Sequence, residues 1–280
     1  MVSRKLKEHL KQYLPMGAVR LYHALRVQGI RVSHHFFAQI HKGTTYFCPF
    51  CNGRFNRFLP DGANAAVLHQ YGVIGGGYRT NCLCPACGSK DRERLLLLYL
   101  QQYTKMFTPQ QPPLHVLHVA PEPQLKKLLQ KLPYLHYLNA DLNPGAADVQ
   151  MDITAILYPD ATFDAILCNH VLEHIPDDAQ AMSELYRVLK PNGWAILQVP
   201  YAQGLPHTYE NPHITHPADR ETHFGQFDHV RIYGQDYVTR LNRAGFSVTV
   251  LTAKEAVGIE NVQKLSLIAD ERIFVGNKLM

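Results

Sequence analysis

Four of the six cysteines come in two C-P-x-C pairs. Cys48 and Cys51 lie in "YFCPFCNGRF", and Cys84 and Cys87 lie in "CLCPACGSKDRER". Two thiolates that flank a tight turn can bind one tetrahedral ion together, each about 2.3 Å from zinc. Because 32 residues between the pairs leave room for hairpin strands, the spacing predicts a structural four-cysteine zinc ribbon in a reducing compartment. Free thiols or an iron site are the alternatives, and Cys82 is expected to be reduced and unliganded.

A second group of metal-type residues lies in "CNHVLEHIPDD", where His170, Glu173 and His174 form H-x-x-E-H. In zinc peptidases that use this pattern, both histidines lie on one helix face. Here His170 follows the apolar stretch "FDAILCN", and Pro176 begins a helix only after His174. The pattern therefore crosses a loop, and the sequence does not predict a metal site at these residues.

The charge of the chain is divided unevenly. Residues 1–112 carry 15 Lys and Arg against 4 Asp and Glu, whereas the remaining residues carry 13 against 19, which together give the net charge of +5. The basic N-terminal third suggests an anionic partner, RNA or a membrane surface, or else a solvated basic face. Within it, leucines recur at every fourth position, at Leu6, Leu10 and Leu14. This spacing predicts an amphipathic helix that either packs on its own domain or rests on lipid or RNA.

Composition and segment lengths bound the class of protein. Hydrophobic residues make up 46% and charged residues 18% of 280, as in a globular protein. No run of about 18 apolar residues and no signal-peptide core is found, so we expect a cytoplasmic protein without a membrane span. We predict three regions: a basic helical segment over 1–44, a zinc-ribbon-like domain with a linker helix over 45–112, and an α/β domain over 113–280.

The α/β domain is predicted from alternating strands and helices that follow the proline-rich "TPQQPP". The predicted strands cover 114–119, 134–142, 147–153, 163–169, 194–200, 246–252 and 271–277. Helices are expected over 121–132, from Pro176 to the "KPNG" stop, and over 234–246. A long polar loop is expected over 201–233.

The stretch "FDAILCNHVLEHIPDDAQAMSELYRVLKPNGWAILQVP" resembles class I S-adenosylmethionine-dependent methyltransferases, especially the group that contains ubiquinone-type and type 11 enzymes. The resemblance covers residues 114–253. It implies a Rossmann-like, seven-stranded, mostly parallel sheet and S-adenosyl-L-methionine as cofactor. Positions that match the cofactor-binding segments of the family are His118, Ala120, Glu122, Asp141, Leu142, Asp152, Ile153, Asn169 and His170.

The resemblance implies a role for several of these positions. Asp141 would accept hydrogen bonds from both ribose hydroxyls, because a carboxylate offers two acceptor oxygens in one plane. Asp152 would receive the adenine amino group while Ile153 packs on the ring. Asn169 and His170 would lie beside the methionine part of the cofactor.

The first motif departs from the family pattern, which has an acid followed by a glycine-rich loop. This chain reads "LHVAPEP", with His118 in place of the acid and Ala120 and Glu122 in place of glycines. Ala120 is small enough for a close approach of the cofactor. We expect Glu122, the acid of this loop, to reach the cofactor ammonium group.

The methyl acceptor is the least defined part of the prediction. Of the residues in and near the predicted loop, His174 and His229 are the candidates for acid–base chemistry. The family resemblance favours a small-molecule, sugar or lipid-linked acceptor. One alternative is an RNA methyltransferase, since the layout resembles that of zinc-containing ribosomal-RNA guanine methyltransferases, although the N-P-P-Y-type string is missing. Another is a non-catalytic zinc-ribbon binding protein with a degenerate methyltransferase fold.

Overall fold

A seven-stranded sheet forms the centre of the computed structural model, which describes residue 34 and residues 36–280. Its strands, in spatial order, are β14 (Ser247–Thr252), β15 (Arg272–Asn277), β10 (Leu189–Gln198), β9 (Phe163–Asn169), β6 (Leu114–Val119), β7 (Leu135–Asp141) and β8 (Val149–Gln150). Strands β8, β7, β6, β9 and β10 pair in parallel, whereas β15 runs antiparallel to both β10 and β14. The Rossmann-like, mostly parallel sheet predicted from the sequence is therefore confirmed.

The sheet is buried on both faces by helices, which explains its continuous apolar strands. Every residue of β9 except Asp164 is buried, as expected for a central parallel strand. One face packs on Met182 and Leu185 of α4, and the other packs on Leu95 and Leu125. The helices are α1 (Ala66–Gln70), α2 (Asp91–Tyr103), α3 (Pro123–Leu129), α4 (Asp178–Val188), α5 (Pro217–Phe224), α6 (Tyr237–Arg243) and α7 (Ala253–Lys264).

The cysteine-containing segment forms short antiparallel strand pairs beside the large sheet. The short strands are β1 (Lys42–Cys48), β2 (Gly53–Phe55), β3 (Leu59–Asp61), β4 (Val73–Ile74) and β5 (Arg79–Leu83). β1 pairs with β2 and β3 with β5, while β4 pairs with β11 (Tyr201–Ala202), which follows β10. Val67 and Leu68 pack in one cluster with Phe224 and Ile232. We call residues 59–79 the insert, because they lie between the two cysteine pairs and cover the end of β10.

The structure differs from the prediction most in the C-terminal half. The expected loop over 201–233 contains β11, β12 (Tyr209–Glu210), α5 and β13 (Arg231–Ile232). Helix α7 was not predicted, although Thr252 and Glu255 form a capping box at its start. The predicted leucine-patterned helix lies outside the described residues. Among the residues that are described, no helix is both long and apolar enough to cross a membrane.

Candidate functional site

The four paired cysteines meet at one point between β1 and the N-terminus of α2. Sγ of Cys48 lies 3.6 Å from Sγ of Cys87, and Sγ of Cys51 lies 3.8 Å from Sγ of Cys84. All four sulfurs are within 4.8 Å of one another. Zinc bonds of about 2.3 Å in a tetrahedron require sulfurs about 3.8 Å apart, so the donor set fits the ion. Cys82 is not part of this cluster; its thiol lies 3.2 Å from Oδ1 of Asp91.

Asp141 and Asp152 lie at the carboxyl edge of the sheet, after β7 and β8. Oδ1 of Asp141 accepts the amide of Asn143 at 2.8 Å, and Oδ1 of Asp152 accepts the amide of Thr154 at 2.8 Å. Each Asp thus fixes its own turn through one oxygen. Within the described part of the chain, Oδ2 of neither residue makes a hydrogen bond, so each keeps one acceptor for a ligand.

The loop after β6 is organised by a buried histidine. His118 is fully buried, and its Nε2 lies 2.7 Å from Oε2 of Glu122 while its Nδ1 lies 2.8 Å from the hydroxyl of Tyr137. Burial opposes ionisation of Glu122, but the His118 hydrogen bond, together with the charges of His118 and Arg92 and a backbone hydrogen bond, holds the pKa of this carboxyl below its usual value. Both ring nitrogens of His118 are used inside the protein, and the lowered pKa makes Glu122 an ionised carboxylate at neutral pH.

Backbone conformation in the same loop explains the altered motif. Ala120 has φ of +45°, in the left-handed region where glycine is favoured and larger side chains are strained. The residue therefore does what a glycine of the family pattern would do, at a cost that its single methyl group keeps low. Glu122 serves as N-cap residue of α3, followed by Pro123 in the first turn.

At the end of β9, two side chains have buried polar atoms that lack hydrogen-bond partners. Both amide atoms of Asn169 and Nε2 of His170 lack hydrogen bonds among the described residues. His170 also has φ of +55°, a conformation that costs energy in a non-glycine residue and is concentrated at functional sites. Ile153 is buried in the main core, whereas Leu142 is 57% exposed beside Asp141. The edge formed by these residues thus offers unpaired polar groups and an apolar surface.

A cavity of about 610 Å³ continues from His170 away from this edge. The insert supplies one wall with Asp61 and Gly75, and the region around α5 supplies the opposite wall. A methyl group on Gly75 would lie 2.9 Å from Oε1 of Glu271 and 3.4 Å from Cε1 of His170, so glycine permits this close cover. The charged residues that line the cavity are Asp61, Arg79, Lys90, Arg92, Glu173, Glu221 and Asp228, together with His170, His174 and His229.

Glu173, His174 and His229 converge at the floor of the cavity. One ligand-type atom from each lies within 4.8 Å of the other two, and the rings of His174 and His229 meet edge-to-face at 4.6 Å. Burial raises the pKa of Glu173 to about 8 and lowers that of His229 to about 4. Burial also lowers the pKa of His174, and Asp228 opposes this shift. Both imidazoles are therefore neutral at pH 7.

The turn that carries Glu173 and His174 is fixed from β13. The amide of Val230 donates to the carbonyl of Glu173 at 2.9 Å. The Arg231 guanidinium donates to the carbonyl of Leu172 at 3.0 Å and to that of Pro176 at 2.8 Å. These bonds place His229 against His174 although 55 residues separate them in the sequence.

Three contributions to the site were not predicted. Glu173 is part of the H-x-x-E-H string, but its partner from outside the string is His229 rather than a residue of the same helix. No pattern in the sequence of the insert indicates that it forms a wall of a cavity in the α/β domain. Arg92 lines the cavity and donates to the carbonyl of Gly75 at 2.9 Å, yet its position one residue into α2 looks like an ordinary helix start.

Part of the chain is similar in sequence to known methyltransferases. Residues 110–197 match the family described as Methyltransferase domain. A probable S-adenosylmethionine-dependent methyltransferase of Mycolicibacterium smegmatis is 31% identical over 90 residues, which are 32% of this chain and 31% of that protein. A ubiquinone/menaquinone biosynthesis C-methyltransferase of Geobacter sulfurreducens is 38% identical over 58 residues, 20% of this chain and 23% of that protein. The match thus spans less than a third of either relative.

Among solved structures, a SAM-dependent methyltransferase from Archaeoglobus fulgidus is similar, with a TM-score of 0.42 and 17% identity. That similarity covers 66% of this chain and 94% of the other.

Proposed function

We propose that this protein, in which residues 110–197 form a methyltransferase domain on a class I sheet, transfers a methyl group from S-adenosylmethionine to a small-molecule, sugar or lipid-linked acceptor. The observation that carries the proposal is the row of unpaired polar groups along the carboxyl edge of the sheet. Ligands of open α/β sheets bind at this edge, where the strand order reverses between β6 and β9. Asn169 ends β9 at that reversal with both amide atoms buried and unpaired among the described residues, and Nε2 of His170, the next residue, is in the same state.

In the proposal, each residue along the edge would hold one part of the cofactor. Asp141 would hold the ribose hydroxyls with its remaining oxygen, and Asp152 the adenine amino group. Glu122, ionised beside His118, would face the ammonium group. The bound cofactor supplies a methyl group already activated on a sulfonium, so the protein contributes chiefly alignment and exclusion of water.

The acceptor would occupy the cavity lined by His174 and His229. Its volume of about 610 Å³ lies within the range of about 300–1,000 Å³ typical of small-molecule sites. The wall supplied by the insert closes the space over His170, which favours a compact acceptor or the head of a lipid-linked one. His174 and His229, neutral at pH 7, would act on the reacting group of the acceptor.

The cysteine cluster supports a structural zinc ion as a second part of the proposal. Cys48, Cys51, Cys84 and Cys87 leave no open coordination position, so a metal held there would stabilise the fold and take no part in methyl transfer. Its place between β1 and the start of α2 would also fix the wall formed by the insert. An RNA acceptor reached through the basic N-terminal third stays a prediction, as does cytoplasmic localisation.

Calorimetric titration of the full chain with S-adenosylmethionine tests the proposal. The wild type is expected to bind one equivalent, and Asp141→Ala should weaken binding at least tenfold, because a charge-assisted hydrogen bond contributes about 1.5–3 kcal/mol. Asp219→Ala, an exposed acid in α5, serves as the matched control and should bind like the wild type. Absence of binding at millimolar cofactor would favour the non-catalytic alternative and overturn the proposal.

A further inference from the structure

The floor of the cavity contains the buried carboxyl group of Glu173, which has no Lys or Arg ion-pair partner among the described residues. The Glu173 side chain is 2% exposed, and its Oε2 has no hydrogen-bond partner within the described part of the chain. Its ion-pair partner among those residues is His170, 3.4 Å away through Oε1. A buried carboxyl group without a partner is costly, and proteins usually offset that cost with a cation or a metal.

Two imidazoles present nitrogen atoms to the same point. The ligand atoms of Glu173, His174 and His229 lie within 4.8 Å of one another, and all three residues line the cavity. Two histidines and one carboxylate are a usual donor set for divalent first-row metals, and such sites leave positions open for a substrate.

The surroundings orient the imidazoles as metal sites do. Nδ1 of His174 lies 3.5 Å from Oδ2 of Asp228, whose other oxygen accepts from the side chain of Gln226 at 2.7 Å. A carboxylate on one ring nitrogen directs the other ring nitrogen towards a metal. The Phe224 backbone lies against the ring of His229. The three side chains are therefore anchored on elements that the core holds in place.

We propose that Glu173, His174 and His229 bind a divalent transition-metal ion at the floor of the acceptor cavity, separate from the cysteine cluster. The site is open towards the cavity, so an oxygen of the acceptor can complete the coordination. This site was not predicted from the sequence, because it requires His229, which lies just before β13 and 55 positions after His174.

The site assigns a chemical class to the acceptor, and this assignment rests on the proposed methyl transfer. A hydroxyl group coordinated to a divalent ion loses its proton near neutral pH. That proton leaves to solvent, and the oxygen then forms a bond to the methyl carbon as the carbon–sulfur bond breaks and its electron pair returns to sulfur. The acceptor would be a hydroxyl compound, and the products would be its methyl ether and S-adenosylhomocysteine.

Zinc stoichiometry of the full chain tests the site. Each protein is equilibrated with Zn²⁺, desalted and analysed by mass spectrometry of the metal. Glu173→Gln, His174→Ala and His229→Ala should each hold one zinc fewer than the wild type. His213→Ala, an exposed histidine in the same region, is the matched control and should equal the wild type. Cys51→Ser should lose the zinc of the cysteine cluster, whether or not the cavity site is also changed.

The readout is the difference between variants, so it does not depend on how much zinc the cysteine cluster retains. His174 is 29% exposed, and its replacement keeps the test informative if a more buried variant fails to fold, which circular dichroism reports. Equal zinc in the wild type and in folded His174→Ala and His229→Ala would overturn the metal site. Retention of S-adenosylmethionine binding in that case would leave the proposed function standing, whereas loss of cofactor binding by the wild type would reject the proposed function alone.

Discussion

Arg94 provides a quantitative test of how the cysteine-containing segment is attached to the large sheet. Its side chain is fully buried and lies over the ring of Phe58 at 4.2 Å. The guanidinium donates to the carbonyls of Ser89 at 2.8 Å, Cys82 at 2.9 Å and Leu265 at 3.0 Å. One side chain thus joins the second cysteine turn, α2 and the end of α7.

Replacement of Arg94 by Met keeps most of the volume and removes all three donors. The carbonyl of Ser89 keeps the amide of Cys84 as a donor, whereas those of Cys82 and Leu265 lose the Arg94 donor at a cost of about 1–3 kcal/mol each. Removal of a buried charge offsets part of that sum. We therefore expect the free energy of unfolding to fall by about 3 kcal/mol, within the range of these two contributions together. Arg94→Lys should lose nearly as much, because an ammonium group cannot reproduce the planar fork.

Urea unfolding at 25 °C followed by circular dichroism measures this loss. Arg243→Met replaces an exposed arginine of the same sequence and should change the free energy of unfolding by no more than about 0.5 kcal/mol. If the free energy of unfolding of Arg94→Met lies within about 1 kcal/mol of the wild-type value, which is below the cost of even one unpaired carbonyl at the middle of its range, the attachment through Arg94 is refuted.

Two other predictions concern the cysteine cluster and a buried acid. Cys51→Ser should lose zinc and unfold at lower urea, whereas Cys82→Ser should keep its zinc because Cys82 bonds to Asp91 outside the cluster; equal zinc in both variants would contradict the assignment. Burial and, to a smaller extent, the negative charge of Asp91 raise the pKa of Glu271 from 4.5 to about 7, although the positive charges of Arg79 and Arg92 oppose the shift. Its contribution to stability is therefore full below pH 4.5 and is lost as pH rises to about 7, by about 3 kcal/mol in total. Glu271→Gln should flatten the wild-type decline of unfolding free energy over that range, and parallel curves would argue against a neutral buried Glu271.

The sequence was most informative where local patterns and buried strands coincide. Strands β6 and β9 have the predicted ends, because their apolar runs are bounded by turn residues and buried on both faces. Helix α4 begins two residues after the predicted Pro176, because Asp177 is the N-cap residue and its side chain accepts the amide of Gln180 at 3.0 Å. In these cases each residue's neighbours along the chain decide its structure.

The features that escaped prediction depend on distant parts of the chain. Strand β4 exists because it pairs with β11: Ile74 lies opposite Tyr201, which is 127 positions later in the chain. His229 and Glu173 meet because Arg231 and Val230 bind the backbone around the 3₁₀ turn. No periodicity within a short window reports such contacts. The residues at the carboxyl edge of the sheet could be located from the sequence because strand ends are local features, whereas the cavity is made by long-range packing.

A crystal structure of the full chain with S-adenosylhomocysteine tests the central claim most directly. The proposed function predicts the ribose hydroxyls on Asp141, the adenine beside Asp152 and the amino-acid end between Glu122 and Asn169, with the sulfur facing the cavity over His170. A ligand bound away from the carboxyl edge of β6, β7 and β9, or with its sulfur turned from that cavity, would contradict it.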